Sequence, residues 1–414
     1  MAESDQSGPL TTVYDPIAPQ ERVVSLDILR GFALFGILWV NMPEGGRRPI
    51  DVFFGEVSNL LATGKFITIF GFLFGVSFSL QWLRATARGR KPTLHSLRRL
   101  SVLFLIGIVH SVFVWDGDIL TTYALMGAYL LVVQRLRFSQ RTVLALALCL
   151  LAVIIVRGEV ELTRRVTREV GAATYRDITG TQLRERRQRM AVEEMQSYTT
   201  TSYTQGVRER WKGLGDWLRS RETYIPDQVF VFFLLGFWAA RSGIFRDVRS
   251  HRVLLCRIVR WGLPLGVTFF FAALGSRHLL YAGYSTWLAD SAFRAAGFVG
   301  RPILGFTYVA GILLLLQNEH WRRRLDPLKF AGRMALTNYL MQSLVFTAVS
   351  YSYGLGIYSK LTGVGVLLYT LVFFTAQVYL SRLWLARYRF GPAEWVWRSL
   401  TYGALMPWRA AATG

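Results

Sequence analysis

The chain has 414 residues, 52% apolar, 14% aromatic and 18% charged, with 48 Lys+Arg against 26 Asp+Glu. So low a charge content with so much apolar side chain excludes a disordered chain. A formal net charge of +22 would suit nucleic acid, but the basic residues lie between apolar runs long enough to cross a bilayer. The expected fold is all-α, a polytopic transmembrane helix bundle of about ten spans, and nucleic acid is not an expected partner. Two cysteines, Cys149 and Cys256, are too few for a disulfide framework or a thiolate metal site. Both are expected as small core residues, and no metal site is expected.

Residues 1–22 form a polar tail with Pro9, Pro16 and Pro19 and no short apolar core ending in small residues. The first apolar run, 23–42, is therefore expected to be an uncleaved anchor. It carries Asp27 and Arg30 at i,i+3 spacing, on one helix face. Either the two neutralise each other, or the arginine fork faces a cavity and takes a phosphate or carboxylate. Asn41 ends this run. Segment 50–62 is weaker and is expected at the surface. The span 65–83 contains Gly71 and Gly75, a Gly-x-x-x-Gly pattern that lets helices approach closely.

A basic loop ending in Arg98 and Arg99 opens the span 98–115, which holds His110. At about 1.5 Å per residue, His110 lies roughly 16 Å beyond Arg99, near the midplane. Neutral imidazole is the least costly general base for a membrane interior; a hydrogen-bonded core histidine is the alternative. His95, His251, His278 and His320 fall in loops and are expected to be solvated. Asp116 and Asp118 sit in a tight hairpin before the span 118–135. Asp118 suits a cap of that helix, and either aspartate is of the type that orients a histidine base. Asp116 is six residues from His110, about 9 Å of rise, too far for contact unless the helix breaks.

The span 141–157 follows, then a polar insert, 158–224, with 13 basic and 10 acidic residues. Within it, the run from Glu159 to Glu169 reads as an amphipathic helix at the membrane surface. Five further spans are expected at 226–241, 252–274, 298–317, 333–351 and 363–384, before a tail at 386–414. Asn338 and Gln342 share one face of the ninth span, just after Arg333. Such amides commonly link helices. The chain thus divides into membrane halves at 23–157 and 225–385 around the insert, with no internal repeat.

Loops after the second, fourth, sixth and eighth spans carry 18 basic residues; the opposite short loops carry 7. By the positive-inside rule both termini are cytoplasmic and the insert is external. Neither a Walker-type phosphate loop, a Gly-x-Ser-x-Gly elbow, a His-Glu-x-x-His helix nor a paired Cys-x-x-Cys is present.

These residues also carry a resemblance. Arg22-Val-Val-Ser-Leu-Asp27-Ile-Leu-Arg30-Gly31 with Gly36-Ile-Leu-Trp-Val-Asn41 resembles the opening of the YeiB-type bacterial membrane proteins. So do Phe70-Gly-Phe-Leu-Phe-Gly75 and Gly107-Ile-Val-His110 followed by Trp115-Asp-Gly-Asp118. The closing portion matches most closely. It runs from Gly332-Arg333-Met-Ala-Leu-Thr337-Asn338-Tyr339-Leu-Met-Gln342-Ser343 through Gly354-Leu-Gly356 to Gly391-Pro392-Ala-Glu394-Trp395-Val-Trp-Arg398-Ser-Leu-Thr401-Tyr402. The resemblance spans nearly the whole chain except residues 1–20 and most of 158–224. That family is best known as a domain of unknown function. Its Ser-Leu-Asp-x-x-Arg-Gly opening is similar to that of the transmembrane acyltransferases, including the lysosomal heparan glucosaminide acetyltransferases. In those enzymes the catalytic histidine follows the first span, whereas residues 42–64 here contain none.

The resemblance implies transfer of an acyl group from a cytoplasmic acyl-CoA to a hydroxyl or amine at or across the membrane. On this reading His110 is the base, with Asp27, Asp116 and Asp118 as supporting carboxylates. The donor is held by Arg30, Arg98, Arg99 and Arg333, together with Asn41, Asn338 and Gln342. A secondary transporter or permease using the same buried groups is the alternative. The expected setting is the bacterial plasma membrane, with no bound cofactor and acyl-CoA as donor substrate. Expected partners are the lipid bilayer, a small-molecule or glycan acceptor, and a second copy in a homodimer.

Overall fold

Apolar runs of this length fold as helices because a helix satisfies its own backbone hydrogen bonds, as lipid requires. The computed structural model describes residues 22–42, 45, 48–89, 91–170, 198, 202–219, 224–281, 299–358 and 360–409. Among them are fifteen α-helices and no strand. They are α1 (Val24–Asn41), α2 (Pro49–Leu61), α3 (Lys65–Ala87), α4 (Thr93–Phe113), α5 (Leu120–Arg135), α6 (Gln140–Val170), α7 (Tyr203–Arg219) and α8 (Tyr224–Ser242). Then come α9 (Arg252–Tyr281), α10 (Arg301–Leu315), α11 (Glu319–Leu325), α12 (Leu328–Arg333), α13 (Ala335–Ser350), α14 (Gly363–Arg387) and α15 (Pro392–Tyr402).

Each of the ten expected spans coincides with a helix. Among the described residues, five segments are long and apolar enough to cross a membrane: Val24–Asn41, Pro49–Ala87, Thr93–Phe113, Arg252–Gly275 and Gly363–Arg387. A sixth forms if α10 and α11, bent by 119°, count as one. The outward faces of these helices are apolar: Leu105 and Val109 on α4, Trp261 and Phe271 on α9, and Val372 and Leu380 on α14 are exposed. Such faces suit lipid rather than water.

Helix α1 is the hub. It packs against α3, α12, α13 and α14. Two glycines permit its closest approach: a Cβ on Gly31 would strike the Leu328 carbonyl, and one on Gly332 would strike the Asp27 carbonyl. The short helix α12 therefore lies directly on the Asp27–Gly31 turn. The expected packing role of Gly75 holds in the same way, because a Cβ there would meet the backbone of Phe233 on α8.

Several expectations are corrected. Cys149 and Cys256 are exposed rather than in the core; they lie on outward faces of apolar helices, which hydropathy alone cannot tell from inward ones. The run Glu159–Glu169 is no separate surface helix but continues α6 to Val170, since only Gly158 interrupts its helix formers and an isolated glycine is tolerated. His278 falls within α9, which runs past 274 to Tyr281. His95 packs against the Tyr402 ring with centroids 4.8 Å apart. Of the tail 1–22 only Arg22 is described; residues 171–197, 199–201 and 220–223 of the insert lie outside the described residues.

Candidate functional site

Two polar clusters sit in the bundle, and α4 joins them. The first gathers at the N-terminal ends of α1 and α4. Asp27 is only 3% exposed. Its carboxylate accepts from Arg22 Nε at 2.5 Å and from Arg30 Nη1 at 2.7 Å. Arg30 Nη2 also donates to Ser77 Oγ on α3 at 2.5 Å. The i,i+3 spacing thus makes the pair, while the neighbouring helix fixes the fork's direction.

Further guanidiniums crowd the same place. Arg99 lies within electrostatic reach of Arg30 and Arg398, Arg398 within reach of Arg22, and Arg333 within reach of Arg22 and Asp27. Arg99 sits 4.4 Å over the Trp397 ring, whose Nε1–H donates to the Arg99 carbonyl. The Nε of Arg333 is buried without a hydrogen-bond partner.

Among the described residues the carboxylates near these arginines are Asp27 and Glu394, and Glu394 is already engaged. It accepts from the Leu336 N–H at 2.7 Å, the Thr337 N–H at 3.2 Å and the Thr337 hydroxyl at 2.5 Å, capping α13 from α15. Burial pushes its carboxyl above the usual range despite these donors, and burial also lowers the Arg398 guanidinium. The cluster is therefore positively charged on balance and suited to an anion carrying several negative charges.

The second cluster is at the far end of α4. His110 is 2% exposed, and its Nδ1 lies 2.8 Å from Asp118 Oδ1. The other Asp118 oxygen accepts from both the N–H and the hydroxyl of Thr121, each at 2.8 Å. One aspartate thus orients the histidine and caps α5. Gly107 makes room for this: a Cβ there would meet Thr121 and the Asp118 carboxylate. The Tyr339 ring lies 5.3 Å from the imidazole, and its hydroxyl accepts from the Ile119 N–H. A carboxylate at Nδ1 selects the tautomer that leaves a lone pair on Nε2. Nε2 is buried and has no partner.

His110 lies in the last turn of α4. The helix stops three residues later because the N–H groups of Val114 and Trp115 both bond back to the His110 carbonyl. That break lets the chain return, and it is Asp118, not Asp116, that reaches the imidazole. Asp116 itself is exposed.

The remaining candidates are dispersed. Arg98 is exposed. Asn41 lies eleven residues beyond Arg30 on α1, about 16 Å away along the axis. Asn338 donates to the Ala331 carbonyl and to Ser381 Oγ, while Gln342 donates to the Leu34 carbonyl and to Gln377 Oε1. Their amides tie α1, α12, α13 and α14 together, the helix-linking role noted above.

Ser77, Thr121, Tyr339 and Arg398 were not singled out from sequence. Tyr339 and Arg398 stand inside the recurring motifs, the one signal available for them. Arg99 and Arg398 meet because α15 packs on the start of α4.

A bundle of long apolar helices with buried polar clusters at its two ends defines a polytopic helical membrane protein. Within that class the chain belongs to the YeiB-type family. The model of the family described as "Protein of unknown function (DUF418)" matches residues 239–404. The uncharacterized protein YxaH of Bacillus subtilis is 30% identical over 424 residues, covering 95% of this chain and 97% of the relative. An uncharacterized 39.9 kDa protein of the amylase 3' region of Bacillus acidopullulyticus is 29% identical, covering 95% and 97%. The uncharacterized protein YeiB of Escherichia coli is 28% identical, covering 94% and 98%. No solved structure matches the chain.

Proposed function

We propose that the protein is an integral membrane acyltransferase, moving an acetyl-like acyl group from cytoplasmic acyl-CoA to a hydroxyl or amine at the membrane. One observation carries this reading. Arg99 and His110 lie eleven residues apart on α4, about three turns, and so on the same face with roughly 16 Å between them. The pantetheine arm of coenzyme A has the backbone length of about four extended residues, some 14 Å. Phosphates held by Arg30, Arg99 and Arg398 would leave the thioester beside His110.

In the reaction, Nε2 of His110 takes the proton from the acceptor. The freed oxygen or nitrogen pair attacks the thioester carbonyl, the C–S bond breaks, and the leaving thiolate receives the proton back from the imidazolium. Asp118 holds the imidazole in place throughout. Asp27 positions Arg30.

The proposed topology is ten crossings with both termini cytoplasmic, in a bacterial plasma membrane. Arg22 before α1 and Arg398 in α15 lie within electrostatic reach of each other, so the two ends of the described chain meet at one end of the bundle. That end carries the basic cluster, as a cytoplasmic mouth does.

The test is acetyl transfer by protein purified into lipid nanodiscs, with labelled acetyl-CoA and a panel of hydroxyl and amine acceptors. Label appears on acceptor for wild type and is lost in His110→Ala. Transfer that survives His110→Ala, or no binding of acetyl-CoA, rejects the proposal.

A further inference from the structure

The polar insert contributes a buried cation that the proposed reaction has not used. Helix α7 lies on the C-terminal end of α4. Tyr203 donates to the Phe113 carbonyl, and Arg210 Nε donates to the Val112 carbonyl at 2.8 Å. These bonds satisfy carbonyls that the end of a helix leaves open.

Capping accounts for one nitrogen of Arg210 but not for the whole group. The residue is 8% exposed, and its Nη2 is buried with no partner. Its guanidinium lies 6.0 Å from the Tyr203 ring and 5.8 Å from the Tyr351 ring, and the Tyr353 hydroxyl also reaches it. Among the described residues no carboxylate pairs with it. A second buried donor without an acceptor, Trp115 Nε1, lies in the α4–α5 connection that begins with the cap of His110. The Trp115 ring touches Phe346, which in turn neighbours Tyr198. A buried guanidinium with a free N–H edge is costly unless an anion meets it.

We propose that Arg210, at the His110 end of α4, forms an anion subsite that holds a carboxylate or phosphate of the acceptor. The acceptor is accordingly a hydroxyl or amine compound that carries a negative charge. This assignment of the acceptor rests on the acyltransferase reading; the anion subsite itself does not. Arg210 would fix the acceptor at one end while His110 addresses its hydroxyl or amine.

The experiment has two arms, both in phosphatidylcholine nanodiscs. The variants are Arg210→Gln, Arg210→Lys and, as a surface control, Arg208→Gln, since Arg208 is exposed. In the first arm, thermal unfolding is followed as inorganic phosphate is titrated against sodium chloride at equal ionic strength. Wild type and Arg208→Gln show the same stabilisation by phosphate. In Arg210→Gln the half-saturating phosphate rises at least tenfold, and in Arg210→Lys at least threefold, because a lysine cannot present the planar fork. A phosphate response that is unchanged in Arg210→Gln overturns the subsite. Should that variant not fold, an unchanged response in Arg210→Lys does so.

In the second arm, acetyl transfer is compared for glycerol, glycerate and glycerol 3-phosphate. Wild type prefers an anionic member at least tenfold in KM, and Arg210→Gln loses the preference. Equal use of neutral and anionic acceptors by wild type overturns the assignment of the acceptor. Absence of transfer to every acceptor, with the phosphate response still dependent on Arg210, supports the subsite and rejects the acyltransferase reading instead. Loss of the phosphate response in discs containing phosphatidylglycerol assigns the anion to a lipid headgroup and overturns the acceptor proposal.

Discussion

Replacing Asp118 with asparagine exchanges one oxygen for an amide nitrogen and leaves side-chain volume unchanged. The carboxylate receives three hydrogen bonds of 2.8 Å, from His110 Nδ1, Thr121 N and Thr121 Oγ1. An amide accepts only at its oxygen, so one side of the new side chain sets N–H against a former donor. If the nitrogen faces His110, Nδ1 must become the acceptor and the proton moves to Nε2, leaving no base toward the acceptor. General-base catalysis contributes about 10²–10⁴-fold, and kcat falls by that order. The nitrogen facing Thr121 would meet two former donors and cost α5 its cap, about 1–2 kcal/mol, so the amide turns its nitrogen to His110. The assay is steady-state acetyl transfer together with thermal unfolding of the same preparation. The expected outcome is kcat lowered by about 10²–10⁴, little change in the donor KM, and a stability loss of no more than about 2 kcal/mol. Folded Asp118→Asn protein with kcat within about threefold of wild type would refute the role given to Asp118, since general-base catalysis is worth far more than that.

Arg99→Ala and Arg398→Ala each raise the KM for acetyl-CoA by about tenfold, and added salt weakens donor binding, because phosphate contacts are screened; titration of CoA binding against ionic strength reads both. Gly31→Val drives side chain into the Leu328 carbonyl, costing about 1–3 kcal/mol or more, and the yield of monodisperse protein falls; a normal melting profile would contradict the packing. Glu394→Ala leaves the buried N–H groups of Leu336 and Thr337 without their acceptor and destabilises by about 2–4 kcal/mol. The Glu394 carboxyl is raised above its ordinary value of 4.5 by burial. A raised acid stabilises the fold below its unfolded pKa and loses that contribution as pH rises through the folded one. Stability therefore declines with rising pH above about 4.5 in wild type and declines less in Glu394→Gln, as unfolding scans across the acid range will report.

The bundle was legible because apolar runs of spanning length announce helices wherever they fall, and each of the ten expected spans coincides with one. The Asp27–Arg30 pair was legible for a local reason: three residues on one helix leave little choice of partner. His110 was visible as the lone histidine within a span, but which of Asp116 and Asp118 meets it was not. That pairing depends on where α4 ends, and two N–H groups competing for the His110 carbonyl leave no sequence signal. The core reading of Cys149 and Cys256 failed because an apolar residue facing lipid and one facing the core look alike in composition. Asn338 and Gln342 offered two roles, and only the packed neighbours Ser381 and Gln377 distinguish them. Arg210 carried no signal at all among the arginines of a polar insert.

The most direct test of the two-ended site is an electron cryo-microscopy structure of the protein with a non-transferable acetyl-CoA analogue. Phosphate density is expected among Arg30, Arg99 and Arg398, with the acyl carbon within reach of His110 Nε2. An analogue bound away from those arginines, or an acyl group lying far from His110, would contradict the two-ended site.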